Sequence, residues 1–461
     1  MRKRMVIGSY VTLMVVLAVA TGLEHRYGTE FVGRQVYGAG WFFALWAVLA
    51  VGIGGAIVRA RLWRNWAVGG LHLAFLWMLA GAAATALTGR QGHVRLFPGV
   101  PVRHYTDAAT DGRQELPFVL CLDSFRIRLH RQTLHPSDYV SYLRIDGQPA
   151  RVSMNRVLER QHYRFSQASY EEDGSSWLSV SRDPWGISLT YVGYGLWGVS
   201  VVGLLFFRKR LPDGDVERES GPTARVRSKR PWGDAVQTLA SISVLLLLFL
   251  QFGLRWKKGG HLPLSNGFET LLFLALCVLS VSIAYRRRFP ILQPVGLWLS
   301  AAALVMAFLG PMDASVSPLA PVLASPLLGF HVATVMAGYA LLALVFAVGV
   351  AGLLRPARRE ELARLSRRLL YPAVCFLGTG IFLGAVWANQ SWGRYWAWDP
   401  KEVWALVTFM VYGVAFHRRS LAWLRRPLGW HLYLTGAFLT VLMTYFGVNF
   451  LLGGMHSYMG G

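Results

Sequence analysis

The chain has 461 residues, is 54% hydrophobic and 15% charged, and carries a formal net charge of +23. Its many apolar runs, each roughly eighteen residues or longer, exclude a soluble globule with one core and read as bilayer spans. The positive excess does not point to nucleic acid, because Lys and Arg cluster on alternate loops between those spans, as positive-inside orientation requires.

In chain order, MRKR is followed by predicted spans at 6–23, 41–58 and 67–87. The first run ends in Ala18-Val19-Ala20 and has the look of a secretory signal; it is read here as an uncleaved anchor, and cleavage would leave the orientation of every later span unchanged. Residues 88–186 differ in character. Phe125, Ile127 and Leu129 alternate as in a strand, and YVSYLRIDG ends in an Asp-Gly turn signal, so this segment is expected to be a small β-rich exterior domain. A further span is predicted at 187–207, and the polar, Gly-, Pro- and charge-rich LPDGDVERESGPTARVRSKRP reads as a linker. The remaining spans are expected at 234–254, 268–285, 292–309, 330–354, 369–387, 402–417 and 430–450.

The expected architecture is therefore a polytopic α-helical membrane protein of about eleven transmembrane helices with one β-rich exterior domain. Its parts are membrane helices in 1–87, the exterior domain in 88–186, a membrane helix in 187–210, a cytoplasmic linker in 211–231 and a second membrane module in 232–461. The basic segments MRKR, RARLWR, 208–232, RRR, RPARREELARLSRR and RRSLAWLRR fall on one side, which puts the N-terminus inside and the C-terminus outside. Cys121, Cys277 and Cys375 are scattered and include no Cys-x-x-Cys, so any thiol chemistry must come from a partner.

The stretch WGRYWAWDPKE, residues 392–402, places Trp392, Trp396 and Trp398 in one exterior loop. Bilayer-interface anchoring accounts for Trp387 and Trp404 but not for three indoles in one loop. Asp399, Pro400 and Glu402 fit the Ncap, N1 and N3 positions of a helix, a capping box, which leaves Asp399 with a structural role and a catalytic one to choose between. Histidines mark span ends: His72 and His417 toward the inner surface, His331 and His456 toward the outer. Ionisable residues at membrane depth are functional candidates by default. Two pairs at matched depth suit haem iron, which takes two axial ligands, and the aromatic loop offers a wall for a macrocycle. Arg255, Arg394 and Lys401 are exterior cations, read as solvated charges that could also meet the carboxylates of such a ligand. His261, in GGHLPLSNGFE, has no assigned role.

WGRYWAWDPKEVWAL resembles the Trp-rich WWD signature of the haem-handling protein superfamily. GFHVATVMAGYALLA, NGFETLLFLA and YFGVNFLLGGMHSY resemble the flanking segments of its CcsA/ResC branch, over 232–461. LHLAFLWMLAGAAATALTGRQGHVRL, LPFVLCLDSFRI and RFSQASYEEDGSSWLSVSRDPWG are similar to segments of the CcsB/ResB partner, so the chain resembles a CcsB–CcsA fusion with a reduced exterior domain. The resemblance implies a System II cytochrome c synthetase of the bacterial inner membrane. Haem b would be held by His72 and His417 inside, moved outward, and presented by His331 and His456 against Trp392, Trp396 and Trp398, with Asp399 beside them. The cysteines of an apocytochrome c Cys-x-x-Cys-His segment would then add to the haem vinyls, kept reduced by a thioredoxin-like partner. Membrane lipid is the surrounding medium and no nucleic acid is involved. Two rival readings use the same histidines: a bis-histidine haem-b electron carrier, and a non-haem transporter with histidine proton relays.

Overall fold

A computed structural model describes residues 3–130, 134–206 and 231–452. Among these, ten helices are long and apolar enough to cross a bilayer. They are α1 (Lys3–Tyr27), α2 (Gly40–Arg59), α3 (Trp66–Thr88), α4 (Gly186–Phe206), α5 (Pro231–Gly259), α6 (Gly267–Tyr285), α7 (Leu292–Leu309), α8 (Pro326–Leu354), α9 (Arg359–Trp392) and, after the shorter α10 (Pro400–Phe416), α11 (Pro427–Leu442). Helix α10 has 17 residues, and α11 continues as a π-helix over Met443–Leu452. The chain is a membrane protein. The expected linker at 211–231 lies almost wholly outside the described residues.

Span ends follow hydropathy except at α9. The expected start at 369 falls well inside a helix that begins at Arg359, because RREELARLSRR is too charged to register as apolar yet is amphipathic. Leu362 and Leu365 are buried on its inner face, while Arg358 pairs with Glu361 at 2.9 Å on the outer. The central seam joins α8, α9, α10 and α11 through Leu342, Val345, Leu369, Leu377, Tyr412 and Leu434.

Between α3 and α4 the chain forms one eight-stranded antiparallel sheet, from Arg90 to Arg182: β1 (Arg90–Leu96), β2 (Pro101–Asp107), β3 (Arg113–Leu129), β4 (Pro136–Ile145), β5 (Gln148–Ser153), β6 (Leu158–Arg160), β7 (Tyr163–Tyr170) and β8 (Ser176–Arg182). The strand order is β5-β4-β3-β2-β1-β8-β7-β6. Asp146 and Gly147, at φ 48° and 81°, form the two-residue turn the Asp-Gly signal announced, with Ile145 paired to Gln148. The alternation at Phe125, Ile127 and Leu129 does mark a strand. Those residues lie in β3, but the buried face is Leu116, Phe118, Leu120 and Leu122. A register shift between Leu122 and Ser124 moves the later apolar residues off the core, and Ile127 and Leu129 end up exposed.

Helices α3 and α4 run antiparallel on either side of the sheet in sequence, and Thr85 Oγ1 donates to Asp183 Oδ2 at 2.6 Å where they meet it. The N-terminal helices and the C-terminal module are also directly joined. Tyr10 donates to Met410 O at 2.8 Å, Trp404 Nε1 to Thr21 Oγ1 at 3.0 Å, and Leu13, Leu17, Val403 and Val407 share one core cluster. The bundle thus has a sheet end and an opposite end.

Candidate functional site: a histidine pair and a walled cavity

At the opposite end, His72 of α3 and His417, the C-cap of α10, stand with ring centroids 6.3 Å apart and planes at 77°. Each ring is oriented by its own helix. His72 Nδ1 lies 2.8 Å from Val68 O and His417 Nδ1 lies 3.1 Å from Gly413 O. A carbonyl can only accept, so both Nδ1 atoms carry the proton and both lone pairs sit on Nε2. An imidazole whose other nitrogen donates to a backbone carbonyl is the usual form of a metal-ligating histidine. The structure therefore brings the first predicted pair together.

At the sheet end, a cavity of about 670 Å³ lies within the range of small-molecule sites, roughly 300 to 1,000 Å³. Its walls include His331 of α8, Trp387 of α9, Trp396 and Lys401 around the start of α10, and Tyr445. His331 Nδ1 donates to Gly380 O of α9 at 2.7 Å, which again puts the lone pair on Nε2. This contact needs glycine at 384, where a Cβ would stand 2.6 Å from His331 Cε1. Its predicted partner, His456, lies outside the described residues.

The tryptophan loop divides by role. Trp396 lines the cavity, and its buried indole N–H has no hydrogen-bond partner among the described residues, a donor to spare for an acceptor on a bound molecule. Trp398 faces elsewhere: it stacks on Tyr37 at 4.7 Å and meets Phe42 edge-on at 5.3 Å, in the core of the N-terminal helices. Trp392 packs edge-on against Trp387 at 4.9 Å. Trp398 also has φ 60°, a left-handed conformation costly for an aromatic residue, and it sits one residue before the α10 cap. Asp399 is that cap: its carboxylate takes the Lys401 N–H at 3.0 Å, and Pro400 follows at N1. Glu402 reaches further back than a capping box places it, accepting from Ala397 N at 2.8 Å. Tyr395 fixes the loop to the sheet end through Thr85 at 2.8 Å, and burial pushes its phenol above the ordinary range.

Several residues were misread or unread in the sequence. Trp387 is no interfacial anchor: it is 1% exposed, and its indole donates to Asn155 at 3.1 Å. Arg255 is not solvated either. It is buried, donates to Glu269 Oε1 at 3.0 Å and to Ala314 O and Ser315 O at 2.9 Å, and so ties α5 to α6 and the 314–315 segment. Lys401 donates to Asn449 Oδ1 at 2.9 Å on the cavity wall, and Arg394 reaches Gln91. His261, left without a role, lines the same cavity as His331. A charge or aromatic at a span end looks the same in sequence whether it meets lipid, water or a cavity, so no local signal separated these cases.

The helices define a class: a polytopic membrane protein in which a β-domain-bearing segment and a second helical module each contribute one ring of the histidine pair. Residues 60–182 match the model of the ResB-like family, and residues 264–456 match that of the cytochrome C assembly protein family. The chain is 36% identical to the cytochrome c biogenesis protein CcsA of Chlamydomonas reinhardtii over 236 residues, 46% of this chain and 65% of that protein. It is 34% identical to CcsA from a strain of Prochlorococcus marinus over 300 residues, 56% of this chain and 94% of that protein. Protein NrfI of Wolinella succinogenes is 32% identical over 219 residues, 45% of this chain and 24% of NrfI, so the chain spans about a quarter of it. The chain belongs to the CcsA family of cytochrome c biogenesis proteins, and it carries a ResB-like segment ahead of that module. His72 lies in the ResB-like match and His417 in the other.

Proposed function

We propose that this chain is a cytochrome c synthetase that receives haem b at the His72–His417 end and attaches it to apocytochrome c at the sheet end. The observation that carries the reading is the histidine pair: two imidazoles from the two family segments, 6.3 Å apart, with both proton positions fixed by carbonyls so that both Nε2 atoms can ligate. Two metal–nitrogen bonds of about 2 Å each, with the two ring radii, add up to roughly that spacing. Among the described residues no group of three or more His, Cys, Asp or Glu could hold a bare metal ion. Two axial ligands are enough only for an iron that brings its equatorial nitrogens with it, which favours haem as the cargo.

His331, the unpartnered indole N–H of Trp396 and the apolar walls of the cavity would then hold haem at the second site, with His456 completing the ligand set. Trp392 and Trp398 support that site from behind, through Trp387 and through the N-terminal helices. Asp399 acts by capping α10 and so placing Lys401 and Glu402 on the cavity wall. When an apocytochrome Cys-x-x-Cys-His segment docks, each thiol adds across a haem vinyl. A carbon–sulfur bond forms and the thiol proton passes to the other vinyl carbon, with no external oxidant. The chain's contribution is to hold the reacting groups aligned, where effective molarity does most of the work. A thioredoxin-like partner would keep the substrate cysteines reduced. In this reading the histidine pair faces the cytoplasm and the sheet end the periplasm of a bacterial inner membrane, in line with the basic loops.

The test is coexpression with an apocytochrome c in a host lacking its own maturation system, followed by haem staining of denatured protein. Haem that stays on the cytochrome band supports the reading. Haem that copurifies with this chain but leaves on denaturation, with none on the cytochrome, replaces it with an electron carrier.

A further inference from the structure

Asn155 sits in the turn between β5 and β6 at φ 56°, a conformation Asn tolerates better than most residues. Its side chain leaves the sheet and bonds to the helical module on both sides of the cavity. Asn155 Nδ2 donates to Pro321 O at 2.9 Å. Asn155 Oδ1 accepts from Trp387 Nε1 at 3.1 Å and from Ser391 Oγ at 2.6 Å, which uses both of its lone pairs. Pro321 belongs to the 319–326 segment, whose Leu319, Leu323 and Ser325 line one wall. Trp387 lines the other, at the last turns of α9, and Trp387 and Ser391 are buried.

Three further contacts reinforce the arrangement. His130 Nε2 is 3.1 Å from Leu319 O, Arg164 bonds Asn389, and Ser181 Oγ donates to Gly393 O at 2.7 Å. The β-domain thus grips both walls of a cavity that belongs to the other family segment, and Asn155 hydrogen-bonds both.

We propose that Asn155 is a positioning residue that clamps the two walls of the cavity together, so that the sheet of the ResB-like segment sets the shape of a ligand site built by the cytochrome-assembly segment. The amide is suited to this because its donor and its acceptor are different atoms that point to different partners, whereas a carboxylate has no donor for Pro321 O and a hydroxyl must donate and accept through one oxygen. That the clamped ligand is haem rests on the function proposed above; the clamp itself does not.

The experiment uses the full chain in detergent. Asn155→Gly keeps the left-handed backbone and deletes the clamp; Ser391→Ala deletes one bond on one wall. Amide hydrogen exchange should rise roughly tenfold in both 319–326 and 384–392 for Asn155→Gly, the loss of a few buried hydrogen bonds, and only in 384–392 for Ser391→Ala. Exchange in the sheet should stay unchanged, which separates the clamp from unfolding of the domain. In a His72→Gly/His417→Gly background, purified without haem and titrated with haem added directly in detergent so that only the cavity reports, binding should be about tenfold weaker for Asn155→Gly, with no further loss on adding Ser391→Ala because the two share one bond. Unchanged exchange in either wall, or fully multiplicative losses in the double variant, overturns the clamp. If exchange responds as described but the parent background binds no haem, the clamp stands and the haem reading of the cavity falls.

Discussion

The histidine pair and the cavity solve the same problem, holding an imidazole in one tautomer, by opposite means. His72 and His417 are each fixed by the carbonyl four residues earlier in their own helix, so each ring is set by local geometry. His331 is fixed by Gly380, a carbonyl of a different helix, and is packed against Gly384. The pair also lies at a helix end, where His417 is exposed, whereas the cavity is walled by five segments of chain and held from above by the sheet. Lys401 on the cavity wall and His417 are at the two ends of α10, roughly 24 Å apart at the helical rise. A site built from locally fixed side chains should lose function one residue at a time and accept a substitute ligand. A site built from tertiary contacts should be sensitive to residues that never touch the cargo.

The largest effect expected is at the pair. His72→Gly or His417→Gly should reduce covalent cytochrome c to background, and added imidazole should restore part of it, because removal of either side chain leaves its helix intact. Haem-stained yield with and without imidazole is the measurement, and full activity in the double Gly variant would sink the pair. With the pair absent, haem made in the cell should not reach the cavity and the protein as purified should carry none there, whereas a His331→Ala/His456→Ala variant should retain haem at the pair; absorption spectra of the proteins as purified distinguish the two. Equal cavity occupancy without the pair would mean that haem enters from the sheet end.

Next in size is Gly384→Ala, which replaces no proposed ligand. The added methyl would meet the His331 ring, and overpacking of this kind costs about 1–3 kcal/mol. Haem at the cavity should fall by an order of magnitude or more while spectra of the pair stay unchanged. An equal loss at both sites would mean that the helices, not His331, had been disturbed.

Within the loop, Trp396→Ala should weaken haem at the cavity by about 0.5–1.5 kcal/mol per lost ring contact beyond area, with protein abundance preserved. Trp398→Ala should do the reverse, since it removes a ring stacked on Tyr37; truncations of this type cost about 3–5 kcal/mol of stability. Parallel measurement of abundance in membranes and haem content separates the two, and identical behaviour of both variants would return the loop to a single role. The smallest effect is expected from Ser181→Ala, which removes one hydrogen bond to Gly393 O and should cost about 1 kcal/mol, seen as a modest fall in thermal midpoint with activity nearly intact.

What the sequence determined by itself is whatever depends on neighbours in the chain. Apolar runs fixed the helices to within a few residues, the start of α9 excepted, Asp-Pro fixed the start of α10, Asp146-Gly147 fixed a hairpin, and histidines at span ends marked the ring pair that the fold brings together. Each rests on a local rule of hydropathy, capping or turn geometry. Tertiary structure decided the rest. Nothing local distinguishes Trp396, on the cavity wall, from Trp398 two residues later, because which way each indole faces is set by Tyr37 and Phe42 at the far end of the chain. Phe125 and Phe118 alternate alike in sequence, and a register shift in β3 separates them. Arg255 and Lys401 read as solvated because their partners, Glu269 and Asn449, meet them only after the helices pack. Asn155 gave no signal at all: a turn asparagine becomes a clamp only when Pro321, Trp387 and Ser391, all more than a hundred and fifty residues away, are folded against it, since a long-range hydrogen bond leaves no trace in local spacing.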